Sequence, residues 1–268
     1  MLGGTGMEID TTDSGTSSND TTTKSVEELK AIVNNASNIS DSKEEISQTE
    51  SAIYELATRY TKNGQANELK NLIESIRPFL KLLSKAKAGK LLRKVVGQRL
   101  DMKDASRDEA VTLCEDTIKW CVEEKRSFLR QALESRLIGL LLEAKRYSDS
   151  LILTDKLVKE LKRLDDKALL VEVQLLESRA YYHLRNGVKA RSALTSARTS
   201  ANAIYCPPSL QGSLDLQSGV LHGEEKDFKT AYSYFYEAFE NYDSIEHELA
   251  LSGLKYMLLA KIMLNLPN

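Results

Sequence analysis

An all-α solenoid of antiparallel helical hairpins is the fold this sequence predicts, and three observations carry that expectation. The first is a repeat. A small residue followed by apolar residues three, four and seven places on recurs at Ala110, Ser150, Ala190 and Ala231, at intervals of 40, 40 and 41 residues. A fixed period of this length marks stacked hairpins, because each hairpin carries one apolar face too many and covers it with its neighbour. The second is the set of offsets. Leu113 and Cys114, Leu153 and Leu157, Ala193, Leu194 and Ala197, and Tyr234, Phe235 and Ala238 share a face with their small leading residue only if each copy is helical. The third is composition: four prolines (Pro78, Pro207, Pro208, Pro267) and no sustained apolar–polar alternation leave no place for a β-sheet.

In chain order, residues 1–23 are rich in Gly, Ser, Thr and Asp without periodic apolar positions, and are expected to be a disordered tail. Helices begin after it. Ser25 with Glu28, Ser42 with Glu45, and Ser106 with Glu109 fit the capping box, in which hydroxyl and carboxylate satisfy amides left unpaired at a helix start. The spacing predicts helices over 25–38, 42–62, 65–76, 79–102 and 106–124, followed by 127–145, 147–163, 166–185, 188–205, 209–224, 227–242 and 246–265. Asn63-Gly64, Asn186-Gly187 and Cys206-Pro207-Pro208 supply breaks, because Gly tolerates left-handed backbone and Pro cannot continue a helix. Short connections make successive helices antiparallel neighbours.

With 268 residues, 41% hydrophobic and 28% charged, the chain can bury a sizeable core, spread along the solenoid axis. Three cysteines, Cys114, Cys121 and Cys206, are an odd number without metal spacing, which points to reduced thiols in cytosol or nucleus. No apolar run reaches the roughly 18 residues of a membrane span, and no signal-peptide pattern opens the chain. The sequons at Asn19 and Asn38 are therefore expected to be coincidental. A net charge of −2 names no partner.

Each feature that invites a catalytic reading has a structural competitor that explains it better. Cys114 and Cys121 lie seven apart beside Trp120, as buried packing requires, with no histidine near in sequence to activate a thiol. His183, His222 and His247 stand on different expected helices without ligand companions. Asp165-Asp166 precede a helix at Lys167, where capping and the helix dipole account for them. Leu2-Gly3-Gly4-Thr5-Gly6 follows no strand and is no phosphate loop. The aromatic run Phe228, Tyr232, Tyr234, Phe235, Tyr236, Phe239 and Tyr242 could stack bases, but most of it is expected at buried repeat positions. The expectation is no catalytic residue, no cofactor and no metal.

One patch stands out. Between Arg77 and Leu100 lie eight basic residues, Arg77, Lys81, Lys85, Lys87, Lys90, Arg93, Lys94 and Arg99, with no acidic one. They are interleaved with Phe79, Leu80, Leu83, Leu91, Leu92 and Val95, so the stretch reads as one amphipathic basic helix. A solvated rim competes with a docking face for an acidic protein partner, which such a field would steer. No second basic stretch extends the footprint as nucleic acid or an anionic membrane would want.

Longer stretches carry a family resemblance. Asp165 to Ser178 (DDKALLVEVQLLES), Ala193 to Pro208 (ALTSARTSANAIYCPP) and Lys229 to Phe239 (KTAYSYFYEAF) resemble the lid subunit family of the 26S proteasome called non-ATPase regulatory subunit eleven. Arg77-Pro78-Phe79-Leu80, Lys125 to Glu134 and Leu254 to Leu259 match as well, and the likeness runs from about Ser51 to Leu266. It implies a right-handed solenoid leading into the helical part of a PCI module that continues into a winged helix. It also implies a non-catalytic scaffold of the regulatory-particle lid, cytoplasmic and nuclear. Such a scaffold clamps the ATPase ring to the core-particle α-subunits, touches other lid PCI subunits, and supports assembly and ubiquitin-dependent degradation, without nucleic acid or membrane partners.

The expected organisation is a tail over 1–23, a solenoid over 24–206, and last repeats over 207–268 that start the PCI module, the winged helix being absent because the sequence stops at Asn268. Residues 1–23 carry no resemblance that can be placed, and Asn186-Gly187-Val188 stands where the family usually carries a Leu-Pro turn. Lys85, Lys87, Lys90, Arg93 and Lys94 are the docking candidates, and Cys206, Pro207 and Pro208 a candidate rigid joint. A signalosome-type PCI scaffold or a free-standing peptide-binding adaptor are the alternatives. The first matches ALTSARTSANAIYCPP less well, and no regularly spaced carboxylate clamp is legible for the second.

Overall fold

The computed structural model describes residues 25–34, 43–100, 102 and 107–265. The expected tail, the capping serines Ser42 and Ser106, and both sequons lie outside them. The described residues form thirteen α-helices and no strand: α1 (Val26–Asn34), α2 (Lys43–Lys62), α3 (Ala66–Ser75), α4 (Arg77–Leu82), α5 (Lys85–Leu100), α6 (Arg107–Glu123) and α7 (Ser127–Glu143), then α8 (Tyr147–Leu164), α9 (Lys167–His183), α10 (Gly187–Ala201), α11 (Pro208–Glu224), α12 (Phe228–Asp243) and α13 (Ala250–Met263). The capping box at the start of α1 closes in both directions: the Glu28 amide donates to Ser25 Oγ at 3.2 Å and the Ser25 amide to the Glu28 carboxylate at 3.0 Å.

The single basic helix expected over 79–102 is two. Leu83 is extended, with ψ 151°, and separates α4 from α5. Ser84 accepts from the Lys87 amide at 3.4 Å. A serine that caps a new helix competes with continuation of the old one, a local option that apolar periodicity does not register. The last helix likewise begins at Ala250 rather than at 246, because Glu246 adopts φ 51° and ends the preceding turn.

Lys125, Lys145, Asp165 and Arg185 all have left-handed backbone, 20 residues apart, and Lys226 and Glu246 repeat the spacing further on. Around Lys125 the Arg126 amide donates to the Cys121 carbonyl and the Lys125 amide to the Val122 carbonyl, the paired bonds of a Schellman turn. The same pair recurs at Arg146 and Lys145, at Asn186 and Arg185, and at Asp227 and Lys226. At Asn186-Gly187 the left-handed residue is thus Arg185, while Gly187 opens α10 and Asn186 caps it by accepting from the Lys189 amide at 3.2 Å. Among the described glycines, Gly64 takes that conformation, with φ 68°. The recurring turn gives most hairpins the same reversal, and the connection from α10 to α11 departs from it.

Two layers result. The markers Ala110, Ser150, Ala190 and Ala231 are each the fourth residue of α6, α8, α10 and α12, and all are buried. Those helices bury one stripe each; in α8 it is Ser150, Thr154, Leu157 and Leu161. By contrast α7 buries Leu133, Glu134 and Ser135 in succession, together with Leu137, Ile138, Leu140 and Leu141, which no single face can hold. Besides their chain neighbours, α5, α7, α9 and α11 pack on one another, so they form the inner layer and the marker helices the outer one. The core follows the axis as a series of clusters. The first runs from Leu29 to Leu141, the next joins α7, α8 and α9 through Ile138, Leu157 and Val173, another joins α9, α10 and α11 through Val171, Leu194 and Leu214, and the last joins α11, α12 and α13 around Phe235 and Ala260.

Candidate docking surface

Along α5 the buried stripe is Ala88, Leu91, Leu92, Val95, Val96, Arg99 and Leu100, packed on α2 and α3. Lys87, Lys90, Arg93 and Lys94 lie on the opposite arc and Lys85 at the first position of the helix, all exposed. Four of the five docking candidates thus share one solvent face by helical spacing, and Lys85 reaches solvent from the open first turn. Lys94 Nζ lies 4.4 Å from the centre of the Tyr54 ring on α2, which steers that cation along the surface.

The structure redraws the rest of the patch. Lys81, on α4, is paired with Glu124 at 2.8 Å, so its charge is answered. Arg99 leaves the surface altogether: it is 2% exposed, donates to the Ala66 carbonyl at 3.1 Å and approaches Glu109 at 3.5 Å. Burial lowers its pKa, which the Glu109 charge opposes. In exchange Lys125 and Arg126, from the turn before α7, stand beside Lys85, Lys90, Arg93 and Lys94 around a groove of about 730 Å³ between α5 and α7. Arg126 is held there by a 2.8 Å bond to the Leu80 carbonyl and by the Trp120 ring 5.2 Å away. At the groove's edge the Phe128 side chain is 73% exposed. Sequence reasoning missed these two cations because they sit some 30 to 40 residues beyond the α5 lysines, on another hairpin.

The other candidates resolve as packing. Cys114 and Cys121 are fully buried; the Cys114 thiol donates to the Leu133 carbonyl at 3.5 Å. Burial pushes Cys114 up to about 12 and Cys121 up to about 11, far from the range in which a thiolate would act as a nucleophile at neutral pH. His183 stacks on Tyr147 at 5.0 Å and His222 on Tyr234 at 5.4 Å. Asp166 caps α9 by accepting from the Leu169 amide at 3.2 Å, while Asp165 ends α8 in left-handed backbone. The aromatic run is less buried than expected: Phe235 and Tyr242 are in the core, but Tyr236 is exposed and the others are half-buried, because outer helices hide only one stripe. Among the described residues no His, Cys, Asp or Glu side chains gather as they would around a metal ion. No helix there is long and apolar enough to cross a membrane.

Cys206-Pro207-Pro208 lies in the connection from α10 to α11. Pro207 is extended, with φ −61° and ψ 146°, and Pro208 occupies the first position of α11, where a missing N–H leaves no bond unmade. Cys206, Ile204 and Leu210 pack against the core cluster shared by α9, α10 and α11.

Against this geometry stand the comparisons with known proteins. Residues 8–144 match the family model described as the 26S proteasome regulatory subunit RPN6 N-terminal domain, so the likeness begins well before Ser51 and takes in residues 8–23, which were expected to resemble nothing. The probable 26S proteasome regulatory subunit rpn-6.1 of Caenorhabditis elegans is 52% identical over 84% of this chain and 52% of its own length. The probable subunit rpn6 of Schizosaccharomyces pombe is 46% identical, over 90% and 57%, and the subunit RPN6 of Saccharomyces cerevisiae 43% identical, over 81% and 51%. The chain thus spans about half the length of the curated relatives it matches. In fold it is similar to BtubC (BKLC) from P. vanneervenii, with a TM-score of 0.61 at 14% identity, over 82% of this chain and 91% of that one. Since the matched model covers half of its residues, this chain belongs to the family of the 26S proteasome regulatory subunit RPN6 N-terminal domain.

Proposed function

We propose that the chain acts as a non-catalytic scaffold of the proteasome regulatory-particle lid, in cytoplasm and nucleus, clamping the ATPase ring to the core-particle α-subunits and supporting assembly and ubiquitin-dependent degradation. Family membership supports the proteasomal setting, and the one-sided face of Lys85, Lys87, Lys90, Arg93 and Lys94, enlarged by Lys125 and Arg126, is the observation that carries the docking. Such a face accelerates encounter with an acidic surface and sets orientation more than it sets final affinity. Other lid PCI subunits would be met by the last repeats over 207–268, with Cys206, Pro207 and Pro208 as the joint that sets their angle. The test is a pull-down of purified core particle and of ATPase subunits at low and moderate salt. Retention is expected at low salt for the parent chain and loss for the Lys85→Glu, Lys90→Glu, Lys94→Glu triple variant, since screening shortens the reach of the field to about 10 Å at 0.1 M. Equal retention of parent and triple variant would remove the basic face from the docking role.

A further inference from the structure

The inner layer does not close evenly along its length. While α5, α7, α9 and α11 pack on one another in turn, α13 packs on α12 and far less on α11. A wedge is left between α11 and α13, and it encloses a cavity of about 540 Å³. Leu216 and Val220 of α11, Phe235 of α12 and Leu259 and Met263 of α13 line it, and Arg179 of α9 stands at one wall. Leu259 and Met263 remain 55% exposed, so the apolar side of the wedge is not covered by the fold itself. Space of this size, walled mostly by apolar side chains with a few fixed polar groups, is what small-molecule sites have in common.

The charges at the cavity are unevenly answered. Gln217 donates to Ser178 Oγ at 3.3 Å, Tyr182 Oη donates to the Glu224 carboxylate at 3.4 Å, Arg185 pairs with Glu224 at 3.2 Å, and His183 stacks on Tyr147. Arg179 has no such partner. It is half-buried, and among the described residues no hydrogen bond or ion pair meets its guanidinium. Burial lowers its pKa, and the Tyr242 phenol is the neighbour that pulls the other way. Glu172 does not supply the missing charge, since the charges acting on it are those of Asp166 and Arg93. A partly desolvated cation without a counter-charge is costly, and an anion that enters beside it removes the cost.

We infer that the wedge between α11 and α13 binds an aliphatic monocarboxylate of the fatty-acid type, its carboxylate paired with Arg179 and its tail among the apolar side chains of α11, α12 and α13. One unanswered cation calls for one carboxylate, and Glu224 at the cavity would repel a second. The guanidinium fork suits a carboxylate in two parallel hydrogen bonds. A polypeptide would bring an N–H and a C=O with every residue, and beyond Arg179 the Leu, Val, Phe and Met walls give those groups nothing to bond. A hydrocarbon tail has no such need. This site is separate from the basic docking face, because no α5 residue lines it.

The probe is decanoate, titrated calorimetrically into the full 268-residue chain below its micelle concentration, with decanol as the uncharged competitor. Saturable binding at one site is expected, about ten-fold or more tighter for decanoate than for decanol, since a hydrogen-bonded charge pair is worth about that factor. Arg179→Gln should weaken decanoate about ten-fold and erase its advantage over decanol, and Arg179→Lys should restore part of it. A Cβ at Gly223, which also lines the cavity, would meet nothing within 4 Å, so Gly223→Leu should fill the space and abolish binding without lowering the thermal melt. That variant keeps the test decisive even where Arg179→Gln alters stability. Lys87→Glu on the α5 face should change nothing. Absence of saturable binding, equal affinity for decanoate and decanol, or indifference to both Arg179→Gln and Gly223→Leu overturns the inference. So does tighter binding of the peptide Ser-Gly-Leu-Phe that is lost on amidating its C-terminus, which would make the wedge a site for a polypeptide chain end.

Discussion

The ring of Phe235 on α12 lies against the backbone of Gly219 on α11, where a side chain would otherwise begin: a Cβ at Gly219 would stand 2.5 Å from Phe235 Cε1 and 2.6 Å from Cδ1. Phe235 has little room to retreat, being 5% exposed and stacked on Tyr256 at 5.2 Å. Gly219→Ala gains helix propensity of up to about 1 kcal/mol but overpacks a filled contact at about 1–3 kcal/mol. A net loss of about 1–2 kcal/mol is expected in urea unfolding. In a Phe235→Leu background the same change should be near neutral or favourable, and a double-mutant cycle measures the difference. Stabilisation by Gly219→Ala in the parent chain would mean that the two helices do not meet so closely.

Left-handed backbone at Lys145 offers a change of opposite sign. The residue is exposed, with φ 60°, in a turn whose hydrogen bonds use only backbone. Lys145→Gly relieves a steric cost of about 1–2 kcal/mol at some expense in unfolded-chain entropy, so a rise of about 0.5–1 kcal/mol is expected. Lys145→Ala should bring none of it. Unchanged melting of the glycine variant would show that the turn carries no strain.

The Arg130 network should report on pH. Arg130 bonds both Glu134 oxygens, at 2.8 and 3.0 Å, and also Glu160, to which Gln131 donates at 2.8 Å. The Arg130 hydrogen bond holds the Glu160 carboxyl below its ordinary value, so its stabilisation is present above the unfolded value and fades as pH falls through the folded one. Burial pushes Glu134 the other way: its charged form costs stability above its raised pKa, and acidification relieves that cost. Arg130→Met leaves Glu134 buried without its partner. A loss of about 1–3 kcal/mol is expected at pH 7, below the range for fully buried pairs because Glu160 is partly solvated. The gap to the parent chain should narrow as pH falls below about 4.3, the ordinary glutamate value, as Glu134 first and Glu160 only further down take up protons. A gap constant between pH 7 and pH 3 would contradict this.

Replacing Pro207 and Pro208 together by alanine should lower stability by about 1–2 kcal/mol, because both prolines already hold the φ that the connection needs and restrict the unfolded chain. As a joint, the connection should also loosen, seen as a larger radius of gyration in solution scattering. Unaltered scattering and melting would assign the angle between α10 and α11 to the shared core around Ala201 and Leu214 instead.

Much of this molecule was legible in one dimension. Helix positions from α6 onward follow from i, i+3, i+4 spacing, and the outer helices declare themselves through Ala110, Ser150, Ala190 and Ala231 because close backbone contact restricts those positions to small residues. The break at Leu83 and the 20-residue series of left-handed turns were not legible, since neither changes the apolar pattern: one is a serine competing for an amide, the other places lysine, aspartate or arginine where glycine would advertise the turn.

The sequence by itself determined the helical class, the hairpin period and the family, all encoded in neighbours within two turns or in long runs of identity. Only the tertiary structure decided what the charges do. Lys81 is answered by Glu124, Arg99 is buried against the Ala66 carbonyl, and Lys125 and Arg126 join the α5 face. Those groups are 31 to 43 residues apart in the chain, and their meeting depends on how the helices stack, which local periodicity does not specify.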